Sequence, residues 1–250
     1  MEQQRVVVAP KLRAPFTTEE NADDLSSNGH RILLGVLGIA LPLMVHLTAG
    51  WRPLKEMEEP WTLLESISGY YHTGGEAVFI GIVVALGLFL ITYDGYNNPT
   101  GWKDRLASRI AGCGALLLAF YPTEVEGDYP PLDWWCKYMG TLHFTGATIL
   151  FVSFAYMSYF LFPITDKELD RSKRQRNALH RVCGIVIVCC LVWAGIAGKV
   201  LERPIFWPET IMLLAFGISW LVKGKVKEAA DEVARRATRG VRRMIGGKAA

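Results

Sequence analysis

His46, His72, His143, Glu76 and Glu209 are the ionisable side chains that could do chemistry together in this chain, with the hydroxyls of Ser66, Ser68 and Tyr70 beside them. Each lies at or within about a turn of the same end of a long apolar run. Glu65-Ser66-Ile67-Ser68-Gly69-Tyr70-Tyr71-His72 leads into the second of those runs, so all of these groups fall at one level. An ionisable group inside a bilayer is costly and marks a functional site by default. A group within a turn of the boundary, however, reaches water or headgroups at little cost. Shallow depth therefore favours a boundary role for any one of them, and their convergence favours a shared pocket.

Three chemistries fit such a set. A small-molecule or lipid pocket would use Ser66, Ser68, Tyr70, His46, His143 and Glu209 as polar contacts within apolar walls. A hydrolase or transferase would use Ser68, His72, His143 and Glu209 as an acid-base set or around a metal. A metal centre would draw its N and O ligands from His46, His72, His143 and Glu209, a set suited to zinc. No HExxH, HxxxH or CxxC pairs two ligands on one helical face, so spacing gives zinc no support. A haem between His46 and His143 would have two imidazoles at one level, but their shallow depth and the lack of a second pair argue against it. No cofactor is therefore expected with assurance.

The elements that must position these groups are six apolar spans: Ile32 to Gly50, Ala77 to Tyr93, Ala107 to Tyr121, Met139 to Phe162, Val182 to Leu201 and Phe206 to Val222. A helix needs about 20 residues to cross a hydrocarbon core, and these runs lack the polar face that a helix on a soluble domain would show. The expected fold is all-α, a polytopic membrane protein with six transmembrane helices in one bundle. The expected organisation is an irregular cytoplasmic arm at 1–30, the bundle at 31–223 and a tail at 224–250. No internal repeat aligns, which counts against an alternating-access transporter.

Basic residues set the orientation, because loops rich in Lys and Arg stay in the cytoplasm. With the N-terminus inside, 22 of the 27 Lys and Arg fall on the cytoplasmic side. Both termini are thus expected in the cytoplasm, and the polar groups above in the outer leaflet. Trp51, Trp61, Trp134, Trp135 and Trp207 fall near the outer ends and Trp102 and Trp220 near the inner ends, as headgroup-seeking indoles should. In the tail, Val226, Ala229, Val233, Ala237, Val241 and Met244 alternate with arginines and lysines as a basic amphipathic helix that would seek anionic lipid. His180, among Arg176 and Arg181, is expected at the cytoplasmic headgroup level. Cys113, Cys183, Cys189 and Cys190 lie in spans as small packing residues, and Cys136 alone lies outside.

Over most of its length the chain resembles an uncharacterised family of bacterial six-helix membrane proteins. The resemblance is carried by Ser66-Ile67-Ser68-Gly69-Tyr70-Tyr71, Tyr93-Asp94-Gly95-Tyr96, Tyr121-Pro122-Thr123, Leu142-His143-Phe144, Arg181-Val182-Cys183-Gly184, Phe206-Trp207-Pro208-Glu209 and Phe216-Gly217-Ile218-Ser219-Trp220-Leu221-Val222-Lys223-Gly224. It implies six helices and, because the position of Glu76 is often basic there, a dispensable Glu76. Ser68 to His72 also resembles the Ser-x-x-x-His segment of the hydrolase superfamily of alkaline ceramidases and progestin and adipoQ receptors. That resemblance implies a zinc-activated water, though this chain has six helices rather than seven and no His-x-x-x-His on the last.

The expected role is that of a multi-pass protein of the cytoplasmic membrane, partnered by membrane lipids and not by nucleic acid, with the oligomeric state left open. It would bind a small molecule or lipid in an outer-leaflet polar pocket, as a sensor, accessory or permeation component. Lipid hydrolysis or group transfer is the alternative, and a structural subunit the third.

Overall fold

The structure, a computed structural model, describes residues 18–52, 61–95, 101–124, 134–164 and 171–224. Among them are six α-helices and no strand: α1 Thr18–Trp51, α2 Glu76–Ile91, α3 Gly101–Phe120, α4 Lys137–Tyr156, α5 Arg171–Lys199 and α6 Phe206–Lys223. A 3-10 turn, Ser68–His72, precedes α2, and a π turn, Met157–Leu161, ends α4. Three stretches, Asn28–Trp51, Lys137–Leu161 and Arg171–Gly198, are long and apolar enough to cross a membrane; α2 is apolar but shorter.

Three boundaries differ from expectation, and the first is α5, which starts at Arg171 rather than Val182, so the basic stretch before the fifth span is helical. α1 starts at Thr18, so residues 18–30, expected to be irregular, are helical. Once the apolar part of α1 has paid for nucleation, extending it by further turns is inexpensive. α3 starts at Gly101, six residues before the expected Ala107, and runs 20 residues to Phe120. The tail from 225 lies outside the described residues.

Each helix packs against its neighbours in sequence, and α6 closes onto α1. The result is a ring of six helices in chain order. α5 shows why its sequence looks apolar all round. His180, Cys183, Ile187, Cys190 and Ala197 form a buried stripe, while Val182, Ile185, Val188, Val192 and Ile196, on the other side, are about half exposed. One apolar face packs in the ring and the other faces outward, as lipid requires and water would not.

Reciprocal glycine pairs draw three of the interfaces together. A Cβ on Gly35 would lie 2.8 Å from the Gly217 carbonyl oxygen, and one on Gly217 2.6 Å from that of Gly35. Gly87 and Gly112 face each other across α2 and α3, and Gly114 and Gly146 across α3 and α4. Where lipid tails are as apolar as the side chains, close backbone approach supplies the attraction that water supplies in soluble proteins. After α2, Gly95 holds φ at +73°, a conformation a side chain disfavours.

Candidate functional site

The loop between α1 and α2 folds into one end of the ring. Ser66 through Thr73 are all buried, unusual for a connection, and several of their polar groups are paired, some locally and some to distant parts of the chain. The Ile67 N–H donates to Glu209 Oε2 (2.6 Å) and the Gly69 N–H to Ser66 Oγ (2.8 Å). The Glu65 carbonyl accepts the N–H groups of Ile205 and Phe206 (2.7 Å each), and Thr73 Oγ1 donates to the Tyr70 carbonyl (2.8 Å). The Tyr70 hydroxyl pairs with His46 Nδ1 at 3.0 Å. The segment is thus a plug fastened to α1 and to the start of α6.

Beneath the plug lies a cavity of about 50 Å³. Ser68 from the plug, His143 from α4 and Glu209 from α6 line it, within walls of Leu41, Phe79, Val83, Phe144, Ala147 and Phe151. A water needs roughly 10–15 Å³ on this measure, so the space suits a few water-sized groups. Phe154 and Phe216 stack at 3.6 Å, both fully buried, joining α4 to α6 behind α5. They lie eleven and seven residues beyond His143 and Glu209, about 16 and 10 Å deeper by helical rise. The ring axis is closed below the cavity.

His143 is 1% exposed, and its Nδ1 lies 2.7 Å from the Tyr121 carbonyl oxygen. A carbonyl only accepts, so Nδ1 carries the proton, and in the neutral ring the lone pair sits on Nε2. His72 donates Nε2–H to the Thr123 carbonyl (3.0 Å), which also accepts Trp135 Nε1–H (3.1 Å); His72 Nδ1 is buried with no partner.

The structure therefore divides the expected site. Ser68, His143 and Glu209 meet at one cavity. His46, His72, Ser66 and Tyr70 belong to the plug and its fastenings and do not line it. Glu76 is exposed at the start of α2. Among the described residues no three His, Cys, Asp or Glu side chains stand close enough to hold a metal ion, so the zinc set of His46, His72, His143 and Glu209 is not assembled. His46 pairs with the Tyr70 hydroxyl and His143 with the Tyr121 carbonyl. The chain matches no family model, no curated protein and no solved structure.

Tyr71, in the plug, is buried, and burial, with the Glu76 carboxylate adding to it, pushes its phenol above the usual range. A raised folded value leaves stability intact below the unfolded pKa of about 10 and removes it as pH rises through the folded value. Alkaline unfolding of wild type is expected to begin at lower pH than that of Tyr71→Phe, followed by circular dichroism from pH 8 to 11.5. Coincident curves would contradict this.

A second buried polar cluster, at the opposite end of the ring, was not foreseen. Arg31, Asp104, His180 and Lys223 are each 3–6% exposed. His180 Nδ1 pairs with Ser219 Oγ (2.9 Å), so His180 is a core residue rather than a headgroup one. Trp220, expected at the lipid boundary, is fully buried between the rings of Tyr93 and Phe162. The π turn, closed by Phe162 N–H donating to the Met157 carbonyl (2.8 Å), presents the Phe162 carbonyl to Lys223 Nζ (3.2 Å). Arg31 donates to the Tyr93 hydroxyl (3.3 Å). In sequence these residues stand at helix ends, where charge is ordinary; nothing there marks them as buried.

Proposed function

We propose that the chain is a six-span protein of the cytoplasmic membrane, both termini inside, that binds a small molecule or a lipid headgroup in the cavity under its plug. The observation that carries this is the meeting of Ser68, His143 and Glu209, from three separate elements, on one otherwise apolar space. The stacked Phe154 and Phe216 below it favour a binding pocket over a path for permeation. Phe144 lines the cavity yet is 38% exposed, so its ring reaches from the pocket to the outer surface of the bundle. The excess of Lys and Arg on one side of the spans supports the orientation.

A cavity-filling substitution tests this. Saturating binding stabilises by about 2.7 kcal/mol at a hundredfold excess over Kd, worth roughly 5–10 °C in Tm for a chain of this size. Polar lipid extract added to delipidated protein is expected to raise the Tm of wild type by that much and that of Ala147→Phe little. An equal rise in both would refute the pocket.

One observation favours a second activity, lipid hydrolysis or transfer. The Tyr121 carbonyl accepts the Nδ1 proton of His143, which makes Nε2 the basic nitrogen of a residue that lines the cavity together with Ser68. In this structure the Ser68 hydroxyl is turned to Ser66 Oγ (3.4 Å), so the pair is not engaged. Free fatty acid released in the same incubations, and lost in Ser68→Ala, would establish this reading over simple binding.

A further inference from the structure

α5 carries its basic residues within the helix. From Arg171 to Arg181 it holds five Lys or Arg and no Asp or Glu, on the same rod as the apolar span that follows. Helix geometry then fixes how those charges stand relative to the span. Arg174, Arg181 and Val188 are spaced by sevens, two turns apart, and so fall on nearly one line along the rod, with Ile185 and Val192 about a turn to either side of Val188. Both arginines are exposed, as are Ile185, Val188 and Val192 at 50–56%. The line is therefore the outward face of α5, cationic at one end and apolar along the rest.

Neither Arg174 nor Arg181 makes a hydrogen bond or an ion pair among the described residues. A guanidinium presents its N–H donors in a planar fork that matches the oxygens of a phosphate. From Arg181 to Val192 the helix rises about 16 Å, roughly half of a ~30 Å hydrocarbon core, so the apolar part of the face is as long as one leaflet is deep. Gly184, three residues past Arg181, lets the π turn come close: a Cβ there would lie 2.8 Å from Tyr159 Cβ. Tyr159 is 37% exposed, so an aromatic ring with a polar tip stands beside the face near its cationic end, as rings at a headgroup boundary do.

We propose that this face is a docking site for an anionic phospholipid of the cytoplasmic leaflet, its phosphate drawn to Arg181 and Arg174 and an acyl chain lying along Ile185, Val188 and Val192. The two arginines stand about 10 Å apart along the axis, within the joint reach of two such long side chains. Charge complementarity chooses the headgroup. A zwitterionic lipid would bring its own cation to the same arginines, whereas a lipid of net negative charge brings only the phosphate they match. The site rests on the reading of α5 as a membrane span with its first residue inside, and it is separate from the cavity under the plug, which lies at the other end of the ring.

The test titrates the full chain in detergent with dioleoyl phosphatidylglycerol or dioleoyl phosphatidylcholine and reads bound lipid by native mass spectrometry. Wild type is expected to bind phosphatidylglycerol at least about tenfold more tightly, since each basic residue near a headgroup contributes a several-fold gain. Arg174→Gln combined with Arg181→Gln is expected to remove most of that preference. Lys103→Gln combined with Arg109→Gln, which removes two exposed cations from α3, is expected to leave it in place. The basic tail is present in every form, so the contrast between the two pairs reads α5. Ala147→Phe fills the cavity and leaves α5 untouched, and it too is expected to keep the preference. Equal binding of the two lipids by wild type, a preference unchanged by the α5 pair, equal losses in the two pairs, or a preference lost in Ala147→Phe overturns the site. Carbonate extraction of membranes separates this from the reading beneath it: a chain released by carbonate does not span, and both fall, whereas a chain retained without a lipid preference loses the site alone.

Discussion

The Gly146→Leu substitution is expected to lower the thermal midpoint by about 10 °C or prevent recovery of monodisperse protein. An ideal Cβ at position 146 would lie 2.7 Å from both the Gly114 carbonyl oxygen and the Leu118 backbone nitrogen. Neither is the end of a flexible side chain, so α3 and α4 must separate. Overpacking a fitted core costs roughly 1–3 kcal/mol or more, and each kcal/mol is worth about 2–4 °C here. Gly81, by contrast, has nothing within 4 Å of its Cβ direction. Gly81→Ala relieves a helix of its most flexible residue and is expected to leave stability unchanged or raise it by up to about 1 kcal/mol. Thermal unfolding in detergent by circular dichroism reads both, and a Gly146→Leu protein as stable as wild type would show that the glycine pair does not set the spacing.

Asp104→Asn is expected to have the second large effect, a loss of about 3–5 kcal/mol, because it removes negative charge from a buried cluster holding Arg31 and Lys223. Asp104 lies within electrostatic reach of Lys223, and both are 6% exposed. Buried charge that loses its counter-charge keeps its desolvation cost with less in return. Adding Lys223→Met to Asp104→Asn is therefore expected to recover part of the loss, a coupling that a double-mutant cycle measures directly. Arg109→Gln, on the exposed side of α3, serves as the control and is expected to stay within about 0.5 kcal/mol. If Asp104→Asn and Arg109→Gln behave alike, the cluster is not what ties α3 to α6 and α1.

The two clusters were not equally legible. Ser68, His143 and Glu209 were among the candidates because they lie at or near the same end of the apolar runs, where several polar groups gather at one level. His46 and His72 carried the same signal, yet the plug absorbs them: His46 meets the Tyr70 hydroxyl and His72 the Thr123 carbonyl. Depth along a helix is readable from residue count, since each residue advances about 1.5 Å. Direction around the helix is not, when both faces are apolar and no polar stripe breaks the symmetry. His180 is the plainest instance, since neighbouring arginines made it look solvated while its own rotation turned it onto Ser219.

By itself the sequence determined an all-helical chain with apolar segments of membrane-crossing length and the level at which the polar groups gather. These follow from hydrophobic run length and position along each run, both local properties. Only the tertiary structure decided that α6 closes the ring onto α1 through Gly35 and Gly217, that Glu209 fastens a plug 142 positions away at Ile67, and that Arg31, Asp104, His180 and Lys223 share one buried site. Those outcomes depend on helix rotation and on partners distant in the chain, and where lipid and protein interior are equally apolar, close packing and hydrogen-bond pairing choose the rotation that hydrophobicity leaves open.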